Sequence, residues 1–349
     1  MNLDTIKDKG LAAERSVLAR VPPRIYVLYG SAAGALPDRA KHLARVVGLG
    51  FDWVCYVPPP GRPDKNDIAA FAKDAAAAGL RPMLQTKPLA MADFATLTRS
   101  GINGFIVSDA ATRKAAGWQD ALAALRKQDP QTVFIADTLG RPWEEIMTLA
   151  RAGFDYLINS AAWWDLRETW FLRQHQELSR LVPTLATPEP LHGTRLAHRL
   201  TFADPAARRT IYRGRYLLAA MASSGIICPM GFELASAVLF DGPATRSSDW
   251  DFAKSQAPFD LSDDIAAINR LKRKAAVLEG GGRLAARVGP RHFARGIGPT
   301  FGSSARKGCM SPDQCERRRA CRPAPRRVGD RRRVCPLCRS LDEGARHSR

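Results

Sequence analysis

The stretch GFIVSDAATRKAAGWQDALAALRKQDPQTVFIAD, residues 104–137, contains the repeating unit that decides the fold. It begins with a short apolar run, continues with Ala and Leu at helical spacing, and returns to a second apolar run. Each apolar run is followed closely by an aspartate, Asp109 or Asp137. Uninterrupted apolar runs of this length are typical of strands covered on both faces, so the stretch predicts a parallel β–α–β unit.

The same alternation continues along most of the chain. Strands are predicted at residues 24–29, 51–57, 81–85, 104–108, 132–136, 154–158, 183–187 and 225–228. Helices are predicted at residues 37–49, 67–78, 92–99, 118–127, 143–151, 166–179, 208–222 and 263–278. Eight such units in about 250 residues predict an α/β fold, a (β/α)8 TIM barrel. A doubly wound open sheet is the alternative, but no GxGxxG or GxxxxGK[ST] motif follows a predicted strand.

The charge of the chain is concentrated at its C-terminal end. The 349 residues carry 53 Lys and Arg against 34 Asp and Glu, a formal net charge of +19. Residues 280–349 hold 18 Lys and Arg against 5 Asp and Glu. We therefore expect an N-terminal segment (1–23), a nearly balanced barrel (24–278) and a basic tail (279–349).

The composition excludes several classes of protein. With 45% hydrophobic residues the chain can bury a large core, so wholesale disorder is excluded. No apolar run is long enough to span a membrane, and the N-terminus has no apolar signal core. We expect a cytoplasmic protein with no membrane partner, in which Cys55 and Cys228 are buried thiols.

The basic tail has three interpretations. Cys335 and Cys338 have the spacing of a zinc knuckle, although the other tail cysteines lack a matching pair. The arginine runs 317–319 and 331–333 could neutralise nucleic-acid phosphates, but no aromatic residues are interleaved with them. The third interpretation is translation out of the ancestral frame of a GC-rich gene, which yields Arg, Pro, Gly and Cys. We favour it, and therefore expect a disordered tail that binds neither metal nor specific nucleic acid.

Acidic side chains follow two neighbouring predicted strands. In a parallel barrel, catalytic residues collect at the C-terminal ends of the strands, so Asp109 and Asp137 would face one pocket. Two such carboxyls can serve as nucleophile and general acid/base in glycosyl transfer. The alternative from spacing alone is that each aspartate caps the helix that follows it.

Four segments carry a resemblance to a known family: FIADTLG (134–140), AGFDYLINS (152–160), WWDLR (163–167) and PMGFE (229–233). Together they resemble the α-amylase superfamily, and most closely its maltosyltransferase-like branch, which includes maltose-1-phosphate maltosyltransferases. The resemblance covers residues 24–278 and stops before the small C-terminal β-domain of those relatives. It implies retaining maltosyl transfer to an α-1,4-glucan or maltooligosaccharide in glycogen metabolism, with maltose 1-phosphate as donor. It implies no cofactor and no metal, and the sequence gives no oligomeric state.

The resemblance also assigns roles to individual residues. Asp109 matches the nucleophile, and Asp137 stands where the family has a glutamate general acid/base. Val107 replaces an arginine that orients the nucleophile, and Gly193 replaces an aspartate that grips sugar hydroxyls. Because each change weakens catalysis, we expect impaired or lost turnover, and the alternative is an inactive glucan-binding or vestigial pseudoenzyme.

Three further residues are candidates for binding the sugar. His192 precedes the missing carboxylate and could contact a sugar hydroxyl, or be a loop histidine without that role. Trp163 and Trp164 could stack on glucosyl rings or pack a helix onto the barrel. We expect one of the two tryptophans to stack on a glucosyl ring and the other to pack the helix onto the barrel.

Overall fold

The computed structural model describes residues 22–30, 39–58, 64–201, 204–240 and 247–275. The basic tail and residues 1–21 of the N-terminal segment lie outside these ranges. The zinc, nucleic-acid and reading-frame interpretations of the tail, and its expected disorder, therefore stay predictions, as do the domain limits.

Eight parallel strands close into one barrel, in which each strand pairs with the next and β8 pairs with β1. The strands are β1 (Arg24–Tyr29), β2 (Trp53–Val57), β3 (Arg81–Thr86), β4 (Gly104–Val107), β5 (Val133–Ala136), β6 (Tyr156–Ile158), β7 (Thr184–Ala186) and β8 (Gly225–Pro229). This confirms the predicted (β/α)8 barrel, and the doubly wound open sheet is wrong. Nearly every strand residue is buried, which is why the strands are uninterrupted apolar runs in the sequence.

Ten α-helices lie within the part of the chain that the structure describes. They are α1 (Arg39–Gly48), α2 (Lys65–Ala77), α3 (Met91–Arg99), α4 (Ala115–Gln128), α5 (Trp143–Ala150), α6 (Trp170–Leu178), α7 (Leu196–Arg199), α8 (Pro205–Met221), α9 (Ser247–Ser255) and α10 (Ser262–Lys274). The sequence did not predict α7 or α9. The helix predicted at 166–179 begins later, at Trp170. Leu166 has a φ of 67°, so it cannot be part of a right-handed helix.

Helix α8 begins three residues before the predicted start. Asp204 is its N-cap and accepts a hydrogen bond from the amide of Ala207, and Pro205 occupies the first turn. Proline fits that position because its missing N–H would have no partner there. An aspartate followed by proline was the sequence signal for this helix start.

An aromatic cluster fixes β4 and β5 against the helices outside them. Phe105 of β4 stacks on Phe134 of β5, with ring centroids 5.4 Å apart. Phe94 of α3 meets both rings edge-on, at 4.9 and 5.6 Å. All three side chains are fully buried. The register also pairs Val107 with Ala136, so the two strands end at the same level of the barrel.

The two cysteines of the barrel match their predicted state. Cys55 in β2 and Cys228 in β8 are free, buried thiols. Burial raises the pKa of both thiols well above their usual range. Within the described ranges, no helix has the length and apolar character needed to cross a bilayer.

Candidate active site

Asp109 lies just beyond the C-terminal end of β4, in a left-handed backbone conformation with a φ of 52°. Its Oδ1 accepts a hydrogen bond from Nη2 of Arg141, and its Oδ2 lies 3.7 Å from Nζ of Lys87. The carboxylate is 38% exposed. A short 3-10 turn, Ala110–Thr112, follows, but the Asp109 side chain does not cap it. The helix-cap interpretation is therefore wrong for Asp109.

Asp137 follows β5 directly, and its amide donates to the carbonyl of Val107 at 2.9 Å. Its Oδ1 accepts from the amide of Leu139 at 3.1 Å, which closes a local turn. Helix α5 begins later with Pro142 at its N-cap, so Asp137 does not cap it. Both carboxyls thus stand at the ends of adjacent strands without serving as helix caps.

The surroundings of Asp137 favour its protonated form. Burial raises the pKa of this carboxyl above its usual range. The amide of Leu139 and the positive charge of Arg141 oppose that increase, while the negative charge of Asp109 adds to it. Because Arg141 lies in the same loop as Asp137 and contacts Asp109, the loops after β4 and β5 meet at this end of the barrel. Acid/base glycosyl transfer needs one carboxyl with a raised pKa together with a second, ionised carboxylate.

His192 lies in the loop between β7 and α7 and contacts residues of two distant strands. Its Nε2 accepts a hydrogen bond from the side-chain amide Nε2 of Gln85 in β3, at 2.9 Å. Its ring lies edge-on to Tyr29 of β1, with centroids 6.0 Å apart. The His192 side chain is nevertheless exposed at the barrel end. The next residue, Gly193, has a φ of 83° and open space where a side chain would project. The loop therefore adopts at Gly193 a backbone that favours glycine over aspartate.

A buried ion pair stabilises the loop between β7 and α7. Oε1 of Glu189 lies 2.7 Å from Nη2 of Arg195, and Oε2 accepts from the amide of Leu196 at 2.8 Å. Both charged side chains are almost completely buried. Nη1 of Arg195 also donates to the carbonyl of Met230, at 3.0 Å. These contacts fix both ends of the segment that carries His192.

A second buried carboxylate was not predicted from the sequence. Glu233, the last residue of the PMGFE segment, accepts at Oε1 from the hydroxyl of Tyr26 at 2.5 Å. Nε of Arg45 lies 3.3 Å from the same oxygen. Burial raises the pKa of Glu233, and the Arg45 charge opposes the increase. Because it ties β8, β1 and α1 together, Glu233 serves the closure of the barrel.

The two candidate tryptophans follow β6 in different environments. Trp164 is buried, its Nε1 donates to the carbonyl of Glu168 at 2.8 Å, and its ring lies 4.9 Å from Phe171 of α6. These contacts give Trp164 a packing role. Trp163 is only partly buried, and its Nε1 has no hydrogen-bond partner among the residues that the structure describes. Sugar stacking by either residue stays a prediction.

Sequence reasoning did not single out Arg141, Lys87 or the contact of Gln85 with His192. Lys87 directly follows β3, and Arg141 lies in the same loop as Asp137, so their places at strand ends were the available signal. The side chain that each would meet depends on the shape of the loops, which composition does not reveal.

Part of the sequence is similar to a known maltosyltransferase. A stretch of 225 residues is 37% identical to the α-1,4-glucan:maltose-1-phosphate maltosyltransferase of Burkholderia pseudomallei (strain K96243). The resemblance to the α-amylase superfamily is confirmed. The matched stretch is 63% of this chain and 20% of that maltosyltransferase, so this α-amylase-like chain spans about a fifth of its relative. No protein-family model matches the chain.

Solved structures show the same fold for the α-amylase-like barrel. An α-amylase from Lactobacillus plantarum superposes with a TM-score of 0.55 at 13% identity, over 77% of this chain and 82% of that one. A pullulanase from Paenibacillus barengoltzii, in complex with maltohexaose and α-cyclodextrin, gives 0.56 at 11% identity, over 77% of this chain and 67% of that one. At such identities the likeness concerns the fold alone.

Proposed function

We propose that this barrel is a retaining glycosyl-transfer domain that acts on α-glucans or maltooligosaccharides. The observation that carries the proposal is the pair of Asp109 and Asp137, which follow adjacent strands; the negative charge of Asp109 adds to the raised pKa of Asp137. The proposal is also supported by the 37% sequence identity to a maltosyltransferase, whose name suggests maltose 1-phosphate as the donor.

The proposed reaction has two steps. In the first, Asp109 attacks the anomeric carbon while the bond to the leaving oxygen breaks, and Asp137 gives its proton to that oxygen. In the second, Asp137 takes the proton of a glucan hydroxyl, which attacks the same carbon and releases Asp109. Two inversions retain the configuration. The raised pKa of Asp137 supports its role as the acid.

The substrate contacts that we propose come from the loops around the carboxyl pair. His192 is exposed in the loop after β7 and would donate or accept a hydrogen bond with a sugar hydroxyl. Trp163, the less buried of the two tryptophans, would offer the stacking surface. Trp164 would act by holding the loop through its contacts with Phe171 and Glu168.

A second candidate function is binding without turnover. Gly193 supplies no carboxylate, and its backbone conformation favours glycine. Val107 is a fully buried apolar residue. Asp137 is one methylene shorter than a glutamate, and a misplacement of about 1 Å can cost 10²-fold in rate. These three features together favour an inactive glucan-binding pseudoenzyme as the alternative.

A mechanism-based label separates the two functions. A fluorinated maltosyl fluoride should form a covalent ester with Asp109, located by peptide mass spectrometry. Asp109→Asn should abolish the label, whereas Asp120→Asn, on the exposed side of α4, should leave it unchanged.

Transfer from maltose 1-phosphate to glycogen, followed by phosphate release, tests the donor. Maltooligosaccharide binding by calorimetry without any label would establish the inactive binder. A protein that neither labels nor binds would refute both functions.

A further inference from the structure

Arg141 lies in the turn that Asp137 begins. The amide of Arg141 donates to the carbonyl of Thr138 at 3.2 Å, and Gly140 has a φ of 69°. Oδ1 of Asp137 accepts from Leu139 within the same turn. The backbone that positions the acid/base candidate therefore also sets the direction of the arginine.

The guanidinium of Arg141 reaches from this turn to the neighbouring strand end. Its Nη2 donates to Oδ1 of Asp109, and its Nη1 lies 4.0 Å from Oε2 of Glu145 in the first turn of α5. The side chain is 33% exposed, so both contacts are partly shielded from water. The hydrogen bond of a planar guanidinium to a carboxylate is directional, so the contact with Asp109 gives both groups a defined orientation.

The other groups near Asp109 do not provide such an orientation. Lys87 lies 3.7 Å from Oδ2, but its side chain is 79% exposed and its ammonium is a mobile point charge. Val107, two residues before Asp109, is buried and apolar.

We propose that Arg141 is the positioning residue of the nucleophile: it binds Oδ1 of Asp109 and leaves Oδ2 to attack the anomeric carbon. This inference rests on the proposed function. It links the two loops, since one turn carries the acid/base residue and the arginine that orients its partner. The Arg141 charge also opposes the rise in the pKa of Asp137.

Kinetics of labelling test the inference first. Arg141→Gln should slow the labelling of Asp109 by about 10²-fold at saturating donor, because a misplaced nucleophile costs that much. Arg141→Lys should lose less, and added guanidinium should restore part of the rate of Arg141→Ala. The donor concentration at half-saturation should change little, since Arg141 contacts the nucleophile.

The matched control is Arg126→Gln. Arg126 is 26% exposed and pairs with Asp155 at 3.1 Å, before β6 and away from the carboxyl pair. It should keep the wild-type labelling rate. Equal losses in both variants, or a labelling rate of Arg141→Gln within twofold of wild type, would overturn the inference.

Crystal structures of the same variants give an answer that does not depend on turnover. In Arg141→Gln the Asp109 carboxylate should rotate away from its wild-type position, and in Arg126→Gln it should not. If the wild-type protein does not label, the proposed function fails, and rotation of Asp109 still supports the positioning contact. An unmoved Asp109 in Arg141→Gln overturns that contact whether or not the protein is active.

Discussion

Replacing Arg195 with methionine should destabilise the barrel at neutral pH far more than the loss of a surface ion pair would. The substitution removes the guanidinium that lies 2.7 Å from Glu189 and keeps an unbranched apolar side chain in place of the arginine stem. Glu189 is 1% exposed, so water cannot replace the lost partner. The variant is left with a buried, uncompensated carboxylate.

The magnitude follows from the contacts that remain. Removing one partner of a buried ion pair lowers the free energy of unfolding by about 3–5 kcal/mol. The amide of Leu196 still donates to Oε2 at 2.8 Å, which favours the lower end of that range. The carbonyl of Met230 also loses its hydrogen bond from Arg195, which adds about 1 kcal/mol. We therefore expect the free energy of unfolding to fall by about 4 kcal/mol.

The loss of stability in Arg195→Met should depend on pH. Burial raises the pKa of Glu189 in the folded protein above its unfolded value, and the Arg195 charge opposes that increase. Without Arg195 the pKa rises further, so the folded state binds the proton more tightly than the unfolded state does. Stability then falls as pH rises from the unfolded pKa to the folded one. The deficit of the variant should be small near pH 4 and largest near pH 8.

Urea unfolding of the wild type and the variant, followed by circular dichroism at several pH values, measures the deficit. The matched control is Arg209→Met, since Arg209 pairs with Asp264 at 3.0 Å but is 48% exposed. It should lose about 0–1 kcal/mol. The double variant Glu189→Gln/Arg195→Met should regain part of the loss, because no charge remains buried. Equal losses in Arg195→Met and Arg209→Met, or a deficit of Arg195→Met that does not change with pH, would refute the reasoning.

Three further predictions concern the strand ends and the core. Gly225→Ala should cost about 3 kcal/mol of stability in urea unfolding, since the new Cβ would lie 2.4 Å from the carbonyl oxygen of Pro23. Trp118→Phe keeps an aromatic ring but removes the 2.8 Å hydrogen bond to the buried Ala110 carbonyl, so thermal unfolding should show a loss of about 1–3 kcal/mol from the hydrogen bond and a further loss from the smaller ring. If the protein is active, kcat/KM for a natural glucan should fall as pH rises through the raised pKa of Asp137, which must be protonated. With maltosyl fluoride, whose leaving group needs no proton, Asp137→Asn should keep the glycosylation step and lose that dependence.

The barrel was predictable because its strands are buried on both faces and therefore have uninterrupted apolar sequences. All six residues of β1 and all four of β4 and β5 are buried, so each strand reads as an apolar run. Helix limits were harder. Backbone conformations such as that of Leu166, at a φ of 67°, are set by tertiary contacts and leave no mark in hydrophobic periodicity.

The candidate site was predictable in part, and for a similar reason. Asp109 and Asp137 were found because strand ends are fixed by strand register, and the register aligns β4 with β5. The contact of Arg141 with Asp109 depends on the turn at Gly140, and the hydrogen bond of His192 with Gln85 joins residues 107 positions apart. Contacts of this kind follow from three-dimensional loop geometry.

The pairing of β1 with β8 has a consequence for the order of events during synthesis. Ile25 pairs with Ile227, so the first strand to leave the ribosome needs the last one before its second edge is covered. At about 5–20 residues per second, that edge waits on the order of 10–40 seconds. Throughout this interval the nascent chain exposes a hydrophobic strand edge to other chains, so a chaperone would protect it most during synthesis. The same distance along the chain makes closure a late and slow step of folding.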